Sequence, residues 1–190
     1  MDLARTQLGE KIIGQGLKYL LSKDIDDLDK LIDWAEKLPM PTNHREYIES
    51  AKKFLNNKDS NWYQYARRLL SETDPHVKEK IGMNFFLNAN FLGVQKQSKM
   101  AKELGHSVPW AILIDPTERC NLNCIGCWAG DYQRTVELDF ETLDRVMTEG
   151  EELGIYFTLM SGGEPTVRKK DIIKLAEKHS SQVILLFTNG

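Results

Sequence analysis

The sequence predicts an α/β protein with a helical N-terminal region, residues 1–108, followed by a parallel β/α array over residues 109–190. Three observations predict it. Apolar residues in the first region recur at three- and four-residue spacing, the signature of one helix face. The second region runs strand, loop, helix, strand, helix, strand, an order that right-handed crossovers turn into a parallel sheet. Charge divides at the same place: residues 1–108 carry 17 basic and 15 acidic side chains, and residues 109–190 carry 8 and 13.

Leu8, Ile12, Ile13, Leu17, Leu20 and Leu21 mark the first helix, which Gly9, Gly14 and Gly16 weaken. Leu28, Leu31, Ile32, Ala35 and Leu38 mark the second, ended by Pro39 and Pro41. Tyr47, Ile48, Ala51, Phe54 and Leu55 mark a third, and Trp62, Tyr65, Ala66, Leu69 and Leu70 a fourth. Asp74-Pro75 reads as an N-cap with proline at the first helical position. The helix it opens carries Val77, Ile81, Phe85 and Leu92, and Gly93 is expected to break it. A last short helix ends at Gly105. His44, His76 and His106 have no metal-ligand spacing, and Trp62, Tyr63 and Tyr65 read as packing. Arg5, Lys11, Lys18 and Lys23 make a solvated basic face on the first helix rather than a membrane surface.

The strands are short apolar runs: Trp110 to Ile114, Ile155 to Met160 and Val183 to Phe187. Between the first two, Asp139 caps a helix that Gly154 ends, with Leu138 placed to pack on Leu143. Between the last two, Ile172, Ile173, Leu175 and Ala176 mark another helix. A parallel strand buried on both faces is a poor place for a domain to end, so the sequence reads as the N-terminal part of a longer protein.

At 190 residues, 41% hydrophobic and 28% charged, the chain can bury a core. A net charge of -3 gives no electrostatic reason to expect nucleic acid. Val183 to Phe187, an apolar run as long as any in the chain, is too short to span a bilayer, so no membrane partner is expected. The N-terminus lacks the apolar core of a signal peptide, which places the protein in the cytoplasm.

The three cysteines are too few for a disulfide scaffold, and all fall on one loop, Cys120-Asn-Leu-Asn-Cys124-Ile-Gly-Cys127, after the first strand. Three thiolates at this spacing fit three corners of a four-iron cluster and leave one iron open. A structural zinc site would need a fourth ligand. Neither His106 nor His179 stands at a zinc-ribbon spacing from the cysteines. At the end of the second strand stands Ser161-Gly162-Gly163-Glu164-Pro165. Two glycines leave the backbone open to close approach by a ligand. A carboxylate at a strand's C-terminal end lies where α/β folds bind ligands, and it can pair with an ammonium.

A C-x3-C-x2-C loop after the first strand and GGEP after the second resemble the radical S-adenosylmethionine (SAM) superfamily, over about residues 108–190. That resemblance implies a partial (β/α)6 TIM-like barrel, of which the three strands would be the first three units. It implies that Cys120, Cys124 and Cys127 ligate a [4Fe-4S] cluster, and that Gly162, Gly163 and Glu164 contact SAM. In the family, the reduced cluster cleaves SAM to methionine and a 5′-deoxyadenosyl radical, which takes hydrogen from substrate. It further implies an electron donor such as ferredoxin or flavodoxin and an unspecified substrate, a peptide or small molecule. One departure is Gly126, where many members carry an aromatic residue; Trp128 follows the third cysteine instead. Thr188 and Asn189 end the third strand on the same side as both motifs, a place bordering the implied SAM site, but an Asn-Gly turn needs no such role and none is assigned. Two other readings stand beside this one: a non-catalytic iron–sulfur or zinc binding fragment, and a helical substrate-recruiting module attached to a truncated core.

Overall fold

The computed structural model describes residues 14–19, 21–23, 25, 32–33, 44–130, 133 and 135–190. The chain forms two compact units, residues 1–83 and 84–190.

The described residues of the first unit are mostly helical. Of the helix expected over 8–21, residues 14–19 and 21 are described and helical. Of the one expected over 28–38, Ile32 and Asp33 are described and helical; the rest of both lies outside the described residues. Helices α1 (His44–Asn56), α2 (Asn61–Glu72) and α3 (Pro75–Ile81) follow. Ser60 caps α2 by accepting from Tyr63 N–H, and Asp74 caps α3 by accepting from His76 and Val77 N–H, with Pro75 first in the helix. Leu55 and Tyr63 are buried with Ile25, and Ile32, Ala66 and Leu70 pack against them. On the expected basic face, Lys18 pairs with Glu79 at 2.6 Å and Lys23 lies over the Tyr19 ring.

The second unit begins within a π-helical stretch, Gly82–Gly93, followed by α4 (Val94–Leu104), which ends at left-handed Gly105. Gly93 does not break this helix. Its backbone is right-handed helical, and an added Cβ would lie 2.6 Å from the Gly154 oxygen. The glycine is required by close approach to the turn before the second strand, a long-range demand that the sequence presents as a helix breaker. Strands β1 (Ile112–Ile114), β2 (Phe157–Met160) and β3 (Val183–Leu186) form a parallel sheet in that order. Ile112 pairs with Thr158 and Ile114 with Met160, which in turn pair with Ile184 and Leu186. Helix α5 (Phe140–Leu153) joins β1 to β2, and α6 (Lys169–Lys178), preceded by a 3-10 turn at Pro165–Arg168, joins β2 to β3. As expected, the Asp139 carboxylate accepts from Thr142 N–H at 2.7 Å and Gly154 closes α5 at φ 90°.

The core lies between one sheet face and these two helices. Ile114, Met160, Leu143, Met147, Ile172 and Leu175 are buried together, and Leu138 packs against them. Each such side chain contributes about 1.5–3 kcal/mol by leaving water. Thr158 is the polar exception on that face. Its hydroxyl donates to Gln182 Oε1, and Gln182 Nε2 donates to Met147 O and Glu151 Oε1. His179, buried beside them, has one ring nitrogen 3.0 Å from Asp144 and the other 3.0 Å from Glu151.

Residues 84–104 run along the N-terminal ends of the strands. Asn84 donates to Ser180 O and Gln182 O, Asn88 to Ser181 O, Lys96 to Glu151 O, and Gln97 to Gly154 O. Phe85 meets Trp110 and Phe157 edge-on, and those two rings stack at 4.8 Å. With one end of the sheet covered, the opposite, C-terminal end carries both sequence motifs.

Candidate functional site

The chain leaves β1 at Asp115-Pro116 and returns to α5 at Leu138. The base of this excursion is tied: Glu118 N–H donates to Val136 O at 3.0 Å and Leu138 N–H to Pro116 O at 3.1 Å, around an antiparallel bridge between Thr117 and Glu137. The Thr117 hydroxyl and the Arg119 guanidinium both donate to Glu137 Oε1. Those donors, Thr117 first, hold the Glu137 carboxyl below its ordinary range against the opposing effect of desolvation. Arg168 donates to Leu138 O at 2.7 Å and stands 3.7 Å from Glu137.

The cysteines ride on this stem. Cys120 is half-buried, Cys124 and Cys127 are exposed, and none forms a disulfide. Cys127 N–H donates to Cys124 O, a turn that Gly126 permits at φ 75°. Leu122 N–H points at Cys120 Sγ from 3.4 Å. Around the thiols, Leu122, Ile125 and Trp128 are exposed, Ile125 completely.

Ser161–Pro165 continues the β1–β2 pairing beyond the strands. Ser161 N–H donates to Ile114 O, Gly163 N–H to Thr117 O at 2.9 Å, and Glu164 N–H to Arg119 O at 2.7 Å. This contact explains both glycines. Gly162 has φ 98°, and a Cβ there would fall 2.7 Å from Thr117 O; at Gly163 it would fall 2.2 Å from Arg119 O. The close partner is the stem of the cysteine loop itself, where the sequence suggested a ligand.

Glu164 is 3% exposed. Its Oε1 accepts from Thr166 N–H, the Thr166 hydroxyl and the Thr188 hydroxyl, and its Oε2 accepts from Asn189 N–H at 2.8 Å. Burial pushes this carboxyl up, but the bonds from Asn189, Thr166 and Thr188 outweigh it and lower its pKa to about 2. Asn189 also reaches the cysteine loop, with Nδ2 3.0 Å from Asn121 Oδ1 and 3.8 Å from Cys120 Sγ. Thr188 and Asn189 are the residues to which sequence reasoning gave no role. Their only signal was position, at the end of β3 on the side of both motifs.

The donor set suits an iron–sulfur cluster by chemistry: three soft thiols on one loop, with backbone and side-chain N–H groups directed at Cys120 sulfur. Among the described residues, no three His, Cys, Asp or Glu side chains converge as a preformed metal site. The thiols thus fit in kind, on a loop that a metal would draw together.

Residues 114–190 match the family model described as the radical SAM superfamily. That span holds all three cysteines and the whole Gly-Gly-Glu-Pro turn. The likeness to that superfamily is confined to this span. The match to single proteins is also partial. A PqqA peptide cyclase of Bradyrhizobium diazoefficiens is 39% identical over 103 residues, covering 50% of this chain and 24% of that protein. A PqqA peptide cyclase of Rhodopseudomonas palustris is 35% identical over 98 residues, covering 50% and 25%. A probable GTP 3′,8-cyclase of Pyrococcus abyssi is 37% identical over 82 residues, covering 40% and 26%. The chain thus spans about a quarter of the length of these curated relatives. No solved structure matches the chain at a significant level. Among the described residues, no helix is long and apolar enough to cross a membrane.

Proposed function

We propose that this chain is part of a radical SAM enzyme. Cys120, Cys124 and Cys127 hold three irons of a [4Fe-4S] cluster, and Gly162, Gly163 and Glu164 border the SAM site. The observation that carries this reading is the direct bonding of the cysteine-loop stem to the Gly-Gly-Glu turn, through Gly163 N–H to Thr117 O and Glu164 N–H to Arg119 O. When bound, the cluster and SAM supply a one-electron route to hydrogen-atom abstraction from substrate.

The chain's own residues hold and shield. Glu164 stays ionised at any working pH, and its Oε2 accepts one bond from the chain, leaving capacity for an ammonium. Leu122, Ile125 and Trp128 carry exposed apolar surface beside the thiols, suited to limiting water around a bound cluster. Residues 109–190 are the first three β/α units of a partial (β/α)6 barrel, with residues 1–108 as a helical N-terminal region. The substrate is a peptide or small molecule, classes to which the relatives' names point. A ferredoxin or flavodoxin delivers the electron, in a reducing cytoplasm.

The test is anaerobic reconstitution with iron and sulfide, reduction, and electron paramagnetic resonance with and without SAM. A four-iron signal that SAM changes is expected. A signal indifferent to SAM would sink the SAM assignment, and a chain that binds zinc but no iron–sulfur cluster would sink the whole reading.

A further inference from the structure

We infer that Asn189 is a positioning residue that fastens the cysteine loop to the Glu164 carboxylate and donates a hydrogen bond to the Cys120 sulfur. The inference rests on the cluster assignment above and adds to it a residue outside both sequence motifs.

Asn189 stands just beyond β3, where the backbone leaves the sheet. Two successive residues pin it there. The Thr188 hydroxyl donates to Glu164 Oε1 and Asn189 N–H donates to Glu164 Oε2, each at 2.8 Å. Glu164 is itself immobile, because it is buried and also accepts from Thr166. The Asn189 side chain is therefore aimed by a fixed backbone. It reaches two acceptors, Asn121 Oδ1 at 3.0 Å and Cys120 Sγ at 3.8 Å. Acceptors on both sides require the amide to present its NH2 group, which sets its orientation. All three strand ends meet in this way: β1 through the cysteine loop, β2 through Glu164, and β3 through Asn189.

The chemistry follows from the sulfur. An N–H directed at a cluster thiolate draws charge from it and favours the reduced cluster, so it raises the reduction potential. An Asn189→Ala change removes that donor. Asn189→Asp keeps the shape, removes the donor and sets negative charge against the sulfur and the Asn121 oxygen. A purely structural residue would give no such ordering, because the aspartate is the better steric match.

Two measurements on the reconstituted and the metal-free chain separate the outcomes. In the loaded chain, the cluster's midpoint potential is expected to fall in Asn189→Ala and further in Asn189→Asp, with iron content still measurable in both. In the metal-free chain, amide hydrogen exchange over residues 119–124 is expected to rise roughly three- to tenfold in Asn189→Ala, the loss of one side-chain hydrogen bond. An unchanged potential in both variants would overturn the sulfur contact, and unchanged exchange would overturn the fastening. If the wild-type chain forms no four-iron cluster, the proposed function fails and the sulfur contact loses its purpose. Faster exchange would then still uphold the fastening role.

Discussion

The cysteine loop and the Gly-Gly-Glu-Pro turn stand at the same end of the sheet, and they are built in opposite ways. In the loop, Cys124, Cys127, Ile125 and Trp128 face outward, and Gly126 has nothing within 4 Å of where its Cβ would be. In the turn, Glu164 is buried with both oxygens bonded, and a Cβ on either glycine would strike the backbone of residues 117–119. One motif offers chemistry, and the other holds that chemistry in place. A family motif with two glycines and a carboxylate is therefore under packing constraint here before any ligand enters.

Substitutions rank this contrast by stability. Gly163→Ala is expected to cost the most, above about 3 kcal/mol, because the obstruction is backbone and cannot rotate away. Thermal unfolding should register a fall of roughly 10 °C or more. Glu164→Gln comes next, at about 1–3 kcal/mol, since an amide places a donor against donors. Its pH behaviour is distinctive. The folded-state pKa is lowered from 4.5 to about 2, so the carboxylate's contribution is full above 4.5 and disappears as pH falls toward 2. Urea midpoints of the wild type should drop across that window, and the Gln variant should lack this part of the drop. Gly126→Ala should cost only about 1–2 kcal/mol, the price of a left-handed alanine in open space. Cys124→Ser should change metal-free stability by less than about 0.5 kcal/mol while removing bound iron after reconstitution. If Gly126→Ala proved costlier than Gly163→Ala in the same unfolding assay, the contrast between the two regions would not stand.

Locally encoded features were legible in the sequence. Asp139 and Gly154 bound α5, Asp74-Pro75 opens α3, and the three apolar runs are the three strands, shorter by a residue or two at their ends. Each signal lies within a few residues of what it specifies. Gly93 was misread because its reason is Gly154, far along the chain, and not its own helix. Asn84, Asn88 and Gln97 carried no visible signal, since a polar residue in a helix ordinarily points to solvent. At the site, the sequence did not show that the backbone of residues 117–119 lies against Gly162 and Gly163. Asn189 showed its place beside the motifs but not its contacts, because its partners, Asn121 and Cys120, lie 68 and 69 residues away.

The helical floor under the strands carries a cost in time. Asn84 finds its acceptors 96 and 98 residues later, Asn88 its acceptor 93 residues later, and Gln97 its acceptor 57 residues later. During synthesis at about 5–20 residues per second, this segment waits several seconds before the turn at residues 180–182 is made. Its amides and the Phe85 ring stay without their native partners through that interval. The arrival of β3 and the turn before it thus completes the seat of a helical segment made long before, which makes the nascent unit most vulnerable to misassociation just before β3 arrives.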